Sequence, residues 1–421
     1  MAPAGRSVRP GGPIAVTGAG VVSPIGNSLA AFDAALFAGR SAVHARILDL
    51  PGIELPPVPV ASADFDAAAV EAPSRVPLDR ATAMALAAAR DAARAAGLAP
   101  GGFDPERLGI FWGSGMAGAA TFEATCRTVY ADRRRMRPTS VVTTMPNAPV
   151  AEIALAFAAR GAALAYACAC ASSAVAIGEA MRAIRAGWID VAIAGGSESM
   201  LTPGVLASWQ AMRVLVPLGA AASDAAAVAA CCRPFAAERN GFALGEAAAA
   251  YVLESPAHAA ARGARTDAIL AGYASNCDGV HITQPDASGQ ARAMIAALAD
   301  AGLAASDIGY LNAHGTATTA GDAAEAESIA RVFGPGGVPV SSTKAIHGHL
   351  LGAGGAVELL ASLRALAAGC LPMNANTIEA DPAFDLDLIS RASRPSPDLR
   401  HALCSSFAFG GTNAVLIASR A

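Results

Sequence analysis

Lysine is almost absent from this sequence. Of 30 basic residues in a chain of 421, one is a lysine, Lys344, and the other 29 are arginine. Charged residues of both signs make up only 15% of the chain and the net charge is −4, which excludes bulk attraction to nucleic acid or an anionic membrane. Any acidic partner must therefore meet a local basic patch. Aromatic residues are scarce as well, at 5%. The eight cysteines, two of them adjacent at Cys231 and Cys232, form neither a disulfide ladder nor a repeated Cys-x-x-Cys metal site, which fits a reducing cytoplasm. The opening MAPAGRSVRPGGP lacks the apolar core of a signal peptide, so export is not expected. The longest uncharged run, Gly161 to Gly178, is broken by glycine, serine and short alanine-rich pieces. It reads as a buried strand entering a buried helix rather than a membrane span.

What is present is a core. At 54% hydrophobic residues the chain buries a large interior. Short apolar runs rich in β-branched residues alternate with alanine-rich stretches: PIAVTGAGVV, RLGIFWG, ALAYACAC, DVAIAGG and AAAYVLE, then DAILAGYAS, IGYLNAH, VPVSSTK and NAVLIAS. That alternation predicts an α/β protein with buried sheets. Two segments share one plan of strand, small-residue turn and helix: ALAYACACASSAVAIGEAMRAIRAG and VPVSSTKAIHGHLLGAGGAVELLASLRALAAG. The shared plan suggests an internal duplication with two fused halves, 1–265 and 266–421. GIELPPVPVASADFD and VLVPLGAAASDAAAVAACC read as surface excursions, the first for its prolines and the second for its lack of amphipathic period.

Chemistry gathers at three places. In YACACASSAVAIG a strand ends in cysteine and small residues lead into a helix. A thiol there lies near a helix N-terminus, whose N–H groups favour a thiolate; spacing alone does not choose between Cys168 and Cys170. NAHGTATTAGD places His314 where a strand opens into a loop, the usual ligand position of α/β sheets. KAIHGHLLGAGG carries His347, His349 and Lys344. The His-x-His pair lacks a second cluster of Asp, Glu or Cys at metal-binding spacing, so no metal is expected. A cysteine, histidines and one ammonium suit acyl transfer through a thioester. GSGMAG, Gly113 to Gly118, matches the dinucleotide spacing GxGxxG, but the next acidic residues fall in TFEATCRTVYADRRRMR instead of ending a second strand. Tight turns and close helix packing account for those glycines.

These motifs together resemble the β-ketoacyl-(acyl carrier protein) synthases of the thiolase-like superfamily, in particular the elongating ketosynthase of bacterial type II fatty-acid synthesis. The likeness runs along nearly the whole chain, through VTGAGVVSPIG, AGGSESM, RPFAAERNGFALGEAA, NAHGTATTAGD, SSTKAIHGHLLGAGGAVE and CSSFAFGGTNAVL. It implies a duplicated α/β thiolase-like fold with a five-layered αβαβα core. It further implies decarboxylative Claisen condensation of an acyl thioester with malonyl-acyl carrier protein, with no cofactor. By resemblance Cys170 is the nucleophile, His314 and His349 are the catalytic histidines, Lys344 is the family lysine, and Phe409 is a gating residue whose N–H serves an oxyanion. Thr316, Thr318 and Phe407 fall on the substrate side, as does Glu358, which is also the candidate counter-ion of Lys344. Arg133, Arg135, Arg137 and Arg213 are candidates for docking the acidic carrier protein. A homodimer, or a heterodimer with a related subunit, is the implied assembly. A non-catalytic chain-length partner is the alternative, disfavoured because Cys170 is present; a degradative thiolase is disfavoured by the synthase-like CSSFAFGGTN. The chain departs from the family at Ala408, Ala247 and Ala249 for glycine, Asn240 for aspartate, Cys168 for threonine, and His347 for threonine or a small residue.

Overall fold

The computed structural model describes residues 12–421 apart from Pro51 and Pro100; the segment read for export lies outside them except for its last two residues. Ten strands build the core: β1 (Ile14–Val22), β2 (Leu108–Gly113), β3 (Ala163–Tyr166), β4 (Val191–Glu198), β5 (Ala247–Glu254), β6 (Ala268–Cys277), β7 (Tyr310–Asn312), β8 (Pro339–Ser341), β9 (His401–Phe407) and β10 (Thr412–Arg420). Nine of them coincide with the nine apolar runs. The tenth, β9, was not among the expected strands, because Ser405 and Ser406 interrupt its apolar pattern although both are fully buried.

The strand order runs β3-β2-β4-β5-β1 and then β6-β10-β9-β7-β8, with Asp387–Leu388 added at the end. Adding five to each label of the first half reproduces the second, since β1 and β6 are both first, and β3 and β8 both third. The directions repeat as well. β5 is antiparallel to β1 and β4 while β4, β2 and β3 are parallel, and β10, β9, β7 and β8 follow the same rule around β6. Antiparallel pairing of Ile14–Val16 with Ala268–Leu270 joins the halves into one continuous sheet.

Helices repeat in the same way: α1 (Arg80–Ala95), α2 (Ala148–Phe157) and α3 (Ser172–Arg185) in the first half, α4 (Ala287–Ala301), α5 (Thr319–Phe333) and α6 (Gly354–Ala368) in the second. α1 and α2 cover one outer face, α4 and α5 the other, and α3 packs on α6 in the middle, touching strands of both halves. The result is the expected five layers. The middle layer is apolar enough that Leu351–Ala368 has the length and composition of a membrane span, yet 83% of it is buried within the protein.

Close approach of helix to strand rests on glycine in both halves. A Cβ on Gly20 in β1 would lie 2.2 Å from the Ala88 carbonyl of α1, and one on Gly272 in β6 would lie 2.5 Å from the Ala297 carbonyl of α4. Backbone atoms cannot yield there.

Three expectations need correction. β3 is exposed along most of its length, because it is the terminal strand of the sheet and has no neighbour beyond it. The proline-rich excursion contains Val58–Ala61, a fully buried strand that pairs with His44–Arg46 and Leu244–Gly245. The second excursion likewise buries Leu218, Val228 and Cys232 in an apolar cluster beside Cys170. Prolines in the first segment and the missing period in the second point to surface, but both pack into the apolar cluster that contains Cys170. We expect Gly20→Ala to lower the denaturant midpoint with unchanged m-value, corresponding to about 1–3 kcal/mol of overpacking, and Gly272→Ala to do the same.

Candidate active site

The carboxyl ends of β3, β7, β8 and β9 open on one cavity of about 300 Å3. Its wall includes Cys170, His314, His349, Thr316, Thr318, Phe407 and Phe409. Cys170 lies in a single 3-10 turn, Ala169–Ala171, between β3 and α3. The turn is entered through Ala169 at φ +46, a left-handed conformation that an alanine holds only when its surroundings enforce it. His314 follows β7, and its loop is held by carboxylates: Glu325 accepts from the His314 N–H at 2.8 Å and the Gly315 N–H at 2.6 Å, and Asp322 accepts from the Ala317 N–H at 3.0 Å. His349 follows the short helix Lys344–His347. Its backbone is fixed by hydrogen bonds to Ala243 and from Gly245.

The ligand-type atoms of Cys170, His314 and His349 lie within 4.8 Å of one another, and all three side chains are buried. The two imidazoles meet edge to face with centroids 5.4 Å apart. Burial holds both well below the usual histidine range, and the Lys344 ammonium adds to that depression. Both rings are therefore neutral. His349 Nδ1 accepts the Leu351 N–H at 3.3 Å, which leaves its proton on Nε2.

Lys344 and Glu358 are 0% and 1% exposed and form a direct ion pair. Neither belongs to the cavity wall, so the structure places Lys344 behind the histidines and removes Glu358 from the substrate-contacting set. The counter-ion role expected for Glu358 matches its position.

Burial pushes the Cys170 thiol up to about 12, against a downward pull from Lys344 and from the Phe409 backbone N–H. Desolvation of the buried sulfur thus opposes the thiolate that the helix terminus favours. The His-x-His pair does not converge. His347 is engaged with Thr343 Oγ1 and the Gly348 carbonyl, and burial holds it down to about 3. Cys170, His314 and His349 offer donor atoms of a kind zinc also accepts.

Thr316 and Thr318 are joined through their hydroxyls at 2.9 Å, and Thr318 caps α5 by accepting from the Gly321 N–H. Phe409 stacks on Trp209 with centroids 6.3 Å apart, Trp209 meets Phe242 edge-on, and Phe242 meets His349 at 5.0 Å. Sequence reasoning missed Trp209 and Phe242, whose only signal was aromatic scarcity. The candidate docking arginines do not share one surface feature. Arg135 and Arg137 line a separate groove of about 460 Å3 with Thr121 and Thr139, next to exposed Arg133, whereas exposed Arg213 sits between the cavity-wall residues Met212 and Val214. In the GSGMAG segment, the Gly115 and Met116 N–H groups donate to Glu198, so an internal carboxylate occupies the place a phosphate would take.

A thiol shifted upward reacts through a small thiolate fraction. Alkylation of Cys170 by iodoacetamide, followed by peptide mass spectrometry, is expected to accelerate about tenfold per pH unit from pH 7 to 9 without a plateau. A plateau below pH 8 would contradict the buried, neutral thiol.

Residues 12–259 match the N-terminal domain of beta-ketoacyl synthases and residues 267–377 the C-terminal domain. Nodulation protein E of Rhizobium meliloti (strain 1021) is 41% identical over 344 residues, covering 81% of this chain and 82% of that protein. The 3-oxoacyl-(acyl-carrier-protein) synthase 2 of Vibrio cholerae is 34% identical over 414 residues, covering 97% of this chain and 99% of that one. A type II polyketide ketosynthase solved in complex with its acyl-carrier protein, bound to the hexaketide, superposes with a TM-score of 0.86 at 28% identity, covering 97% of this chain and 99% of that chain. Fold, cavity and sequence agree: the chain belongs to the β-ketoacyl synthase family.

Proposed function

We propose that this cavity joins an acyl group to malonyl-acyl carrier protein by decarboxylative Claisen condensation, giving 3-oxoacyl-acyl carrier protein and CO2. The observation that carries the reading is the convergence of one sulfur and two neutral imidazoles within 4.8 Å in a buried cavity. In the first half-reaction the Cys170 sulfur attacks the acyl carbonyl, the bond to the pantetheine sulfur breaks, and the thiol proton reaches that departing sulfur by way of an imidazole. The malonyl thioester then loses CO2, and the electrons of the broken C–C bond form an enolate. Its oxygen takes hydrogen bonds from His349 Nε2–H and His314, donors that need no charge of their own. The enolate carbon attacks the acyl-Cys170 carbonyl, whose oxygen faces the Phe409 N–H. Collapse expels the sulfur, which regains a proton taken from solvent. Lys344 acts from behind, keeping the imidazoles neutral and offsetting the negative charge as it develops.

The partners follow from the same chemistry. The acyl and malonyl groups arrive on an acyl carrier protein, as the solved ketosynthase complex supports, and Arg213 at the cavity rim is the arginine best placed to meet its acidic surface. A second copy of this chain covers β3. That strand is the open edge of the sheet, Leu164 is 46% exposed on it, and the nearby helices expose Val141, Val142 and Leu155. An apolar strand edge of this kind calls for a partner in solution. Sedimentation velocity is expected to give twice the monomer mass, and Leu164→Arg to give the monomer.

Incubation with a short acyl thioester is expected to add the acyl mass to the Cys170 peptide. A non-catalytic chain-length partner predicts no such adduct. Condensation is expected to fall more than about a thousandfold in Cys170→Ala, about 100- to 1,000-fold in His349→Ala, and up to about 100-fold in Lys344→Arg, where a planar fork displaces the histidines from behind. Full activity in Lys344→Arg would remove the role given to the ammonium.

A further inference from the structure

Glu198 is the last residue of β4, is fully buried, and has no part in the reaction as set out above. Its two carboxylate oxygens accept four hydrogen bonds, all from uncharged donors. Three come from the loop after β2: the Ser114 hydroxyl at 3.1 Å, the Gly115 N–H at 2.6 Å and the Met116 N–H at 3.2 Å. The fourth crosses to the other half of the molecule, where Gly352 donates its N–H at 3.2 Å.

Gly352 is the middle residue of the turn Leu351–Ala353 that leads into α6. The preceding residue, Leu351, gives its N–H to His349 Nδ1. Leu351 holds φ at +49, a left-handed conformation that leucine keeps only under external constraint. The contact is also tight: a Cβ on Gly352 would stand 2.6 Å from the Glu198 oxygen and 2.5 Å from the Gly115 nitrogen. The carboxylate therefore clamps the very turn whose N–H determines which nitrogen of His349 carries the proton.

We infer that Glu198 is a positioning residue for His349, holding the Leu351–Ala353 turn so that Nδ1 stays an acceptor and Nε2–H faces the cavity. The inference rests on the proposed condensation. It assigns Glu198 to the decarboxylation half, where an N–H must meet the enolate oxygen, and gives it no part in loading Cys170. An amide in the same place cannot replace the carboxylate, because its NH2 group opposes donors that the second oxygen accepted.

The test uses the full-length protein and two separate half-reactions. In Glu198→Gln, acylation of Cys170 by a short acyl thioester, followed by mass spectrometry, is expected to stay within about twofold, while CO2 release from malonyl-acyl carrier protein falls about 10- to 100-fold. Long-range proton–nitrogen spectra of 15N-histidine-labelled protein are expected to show His349 Nδ1 unprotonated in the parent and mixed between tautomers in the variant. Gly352→Ala displaces the turn from an intact carboxylate and is expected to give the same split between half-reactions. Equal losses in both half-reactions, an unchanged His349 tautomer, or collapse of the fold in both variants would overturn the inference, the last by making Glu198 a structural anchor only. A parent protein that forms no acyl-Cys170 would instead overturn the proposed condensation.

Discussion

The site exists because α3 and α6 can touch. A Cβ on Gly355 would lie 2.7 Å from the Ala174 methyl group, so glycine is what lets the two helix starts meet. The Ala356 N–H donates to Ser173 Oγ at 2.9 Å across the contact. Cys170 precedes α3 by two residues and His349 precedes α6 by five. Bringing the helix starts together therefore brings a sulfur from one half against an imidazole from the other. The remaining layers hold that contact in place, each outer pair of helices pressing one half of the sheet against the central pair.

Duplication makes two such corners, and only one is open. Ala169 enters the turn before α3 at φ +46, and Leu351 enters the turn before α6 at φ +49. The next residue is Cys170 in the first turn and Gly352 in the second. Around Cys170 the opposing loop carries His314 and leaves a cavity. Around Gly352 the opposing loop is Ser114–Met116, and Glu198 fills the gap by accepting from both sides. A buried carboxylate without a cation is expensive to desolvate, and burial pushes Glu198 up to about 7 despite its four donors. The molecule tolerates that expense at the corner where no substrate enters. The loop after β7 is held by the same device, Glu325 and Asp322 of α5 accepting from its N–H groups, and there the carboxylates support a loop that still faces the cavity.

Much of this was legible in the sequence, for physical reasons that also explain the gaps. Buried strands are continuous apolar runs whichever half they belong to, so nine of the ten core strands could be read directly. β9 could not, because two serines interrupt its apolar pattern although both are buried: Ser405 donates to Glu325 at 2.9 Å, whereas the Ser406 hydroxyl lies in the interior without a hydrogen-bond partner. The small strand Val58–Ala61 hid behind prolines, which mark loops in general, yet Pro59 lies inside this central strand opposite Ala45. Edge exposure of β3 is a property of sheet order, which no local pattern encodes. His314 stood out because a polar residue ended an apolar strand, whereas only resemblance to the family separates Cys170 from Cys168 and His349 from His347. Glu198 had the same signal at the end of DVAIAGGSE, but an acidic residue there reads as solvent-facing until the opposite half is in place.

The lone lysine is best understood through what surrounds it. Lys344 and Glu358 lie side by side with no exposed surface, and such a pair is retained only when each partner neutralises the other. As a unit the pair is neutral, so it does not demand a counter-charge from the cavity. Its positive end still faces the histidines, since Lys344 adds to the downward shift of His314, His347 and His349 after burial itself. Protonating an imidazole here would therefore place a third charge in a dry interior, and both rings stay neutral donors. An enolate is the opposite case. Its negative charge meets the near end of an ion pair already oriented toward it, with no reorganisation at the moment of reaction. Arginine would carry the same charge into the same place, but its five donors need a fork of acceptors, and a fully buried pocket built around one carboxylate supplies too few. That mismatch is a physical reason for a chain with 29 arginines to keep one lysine here.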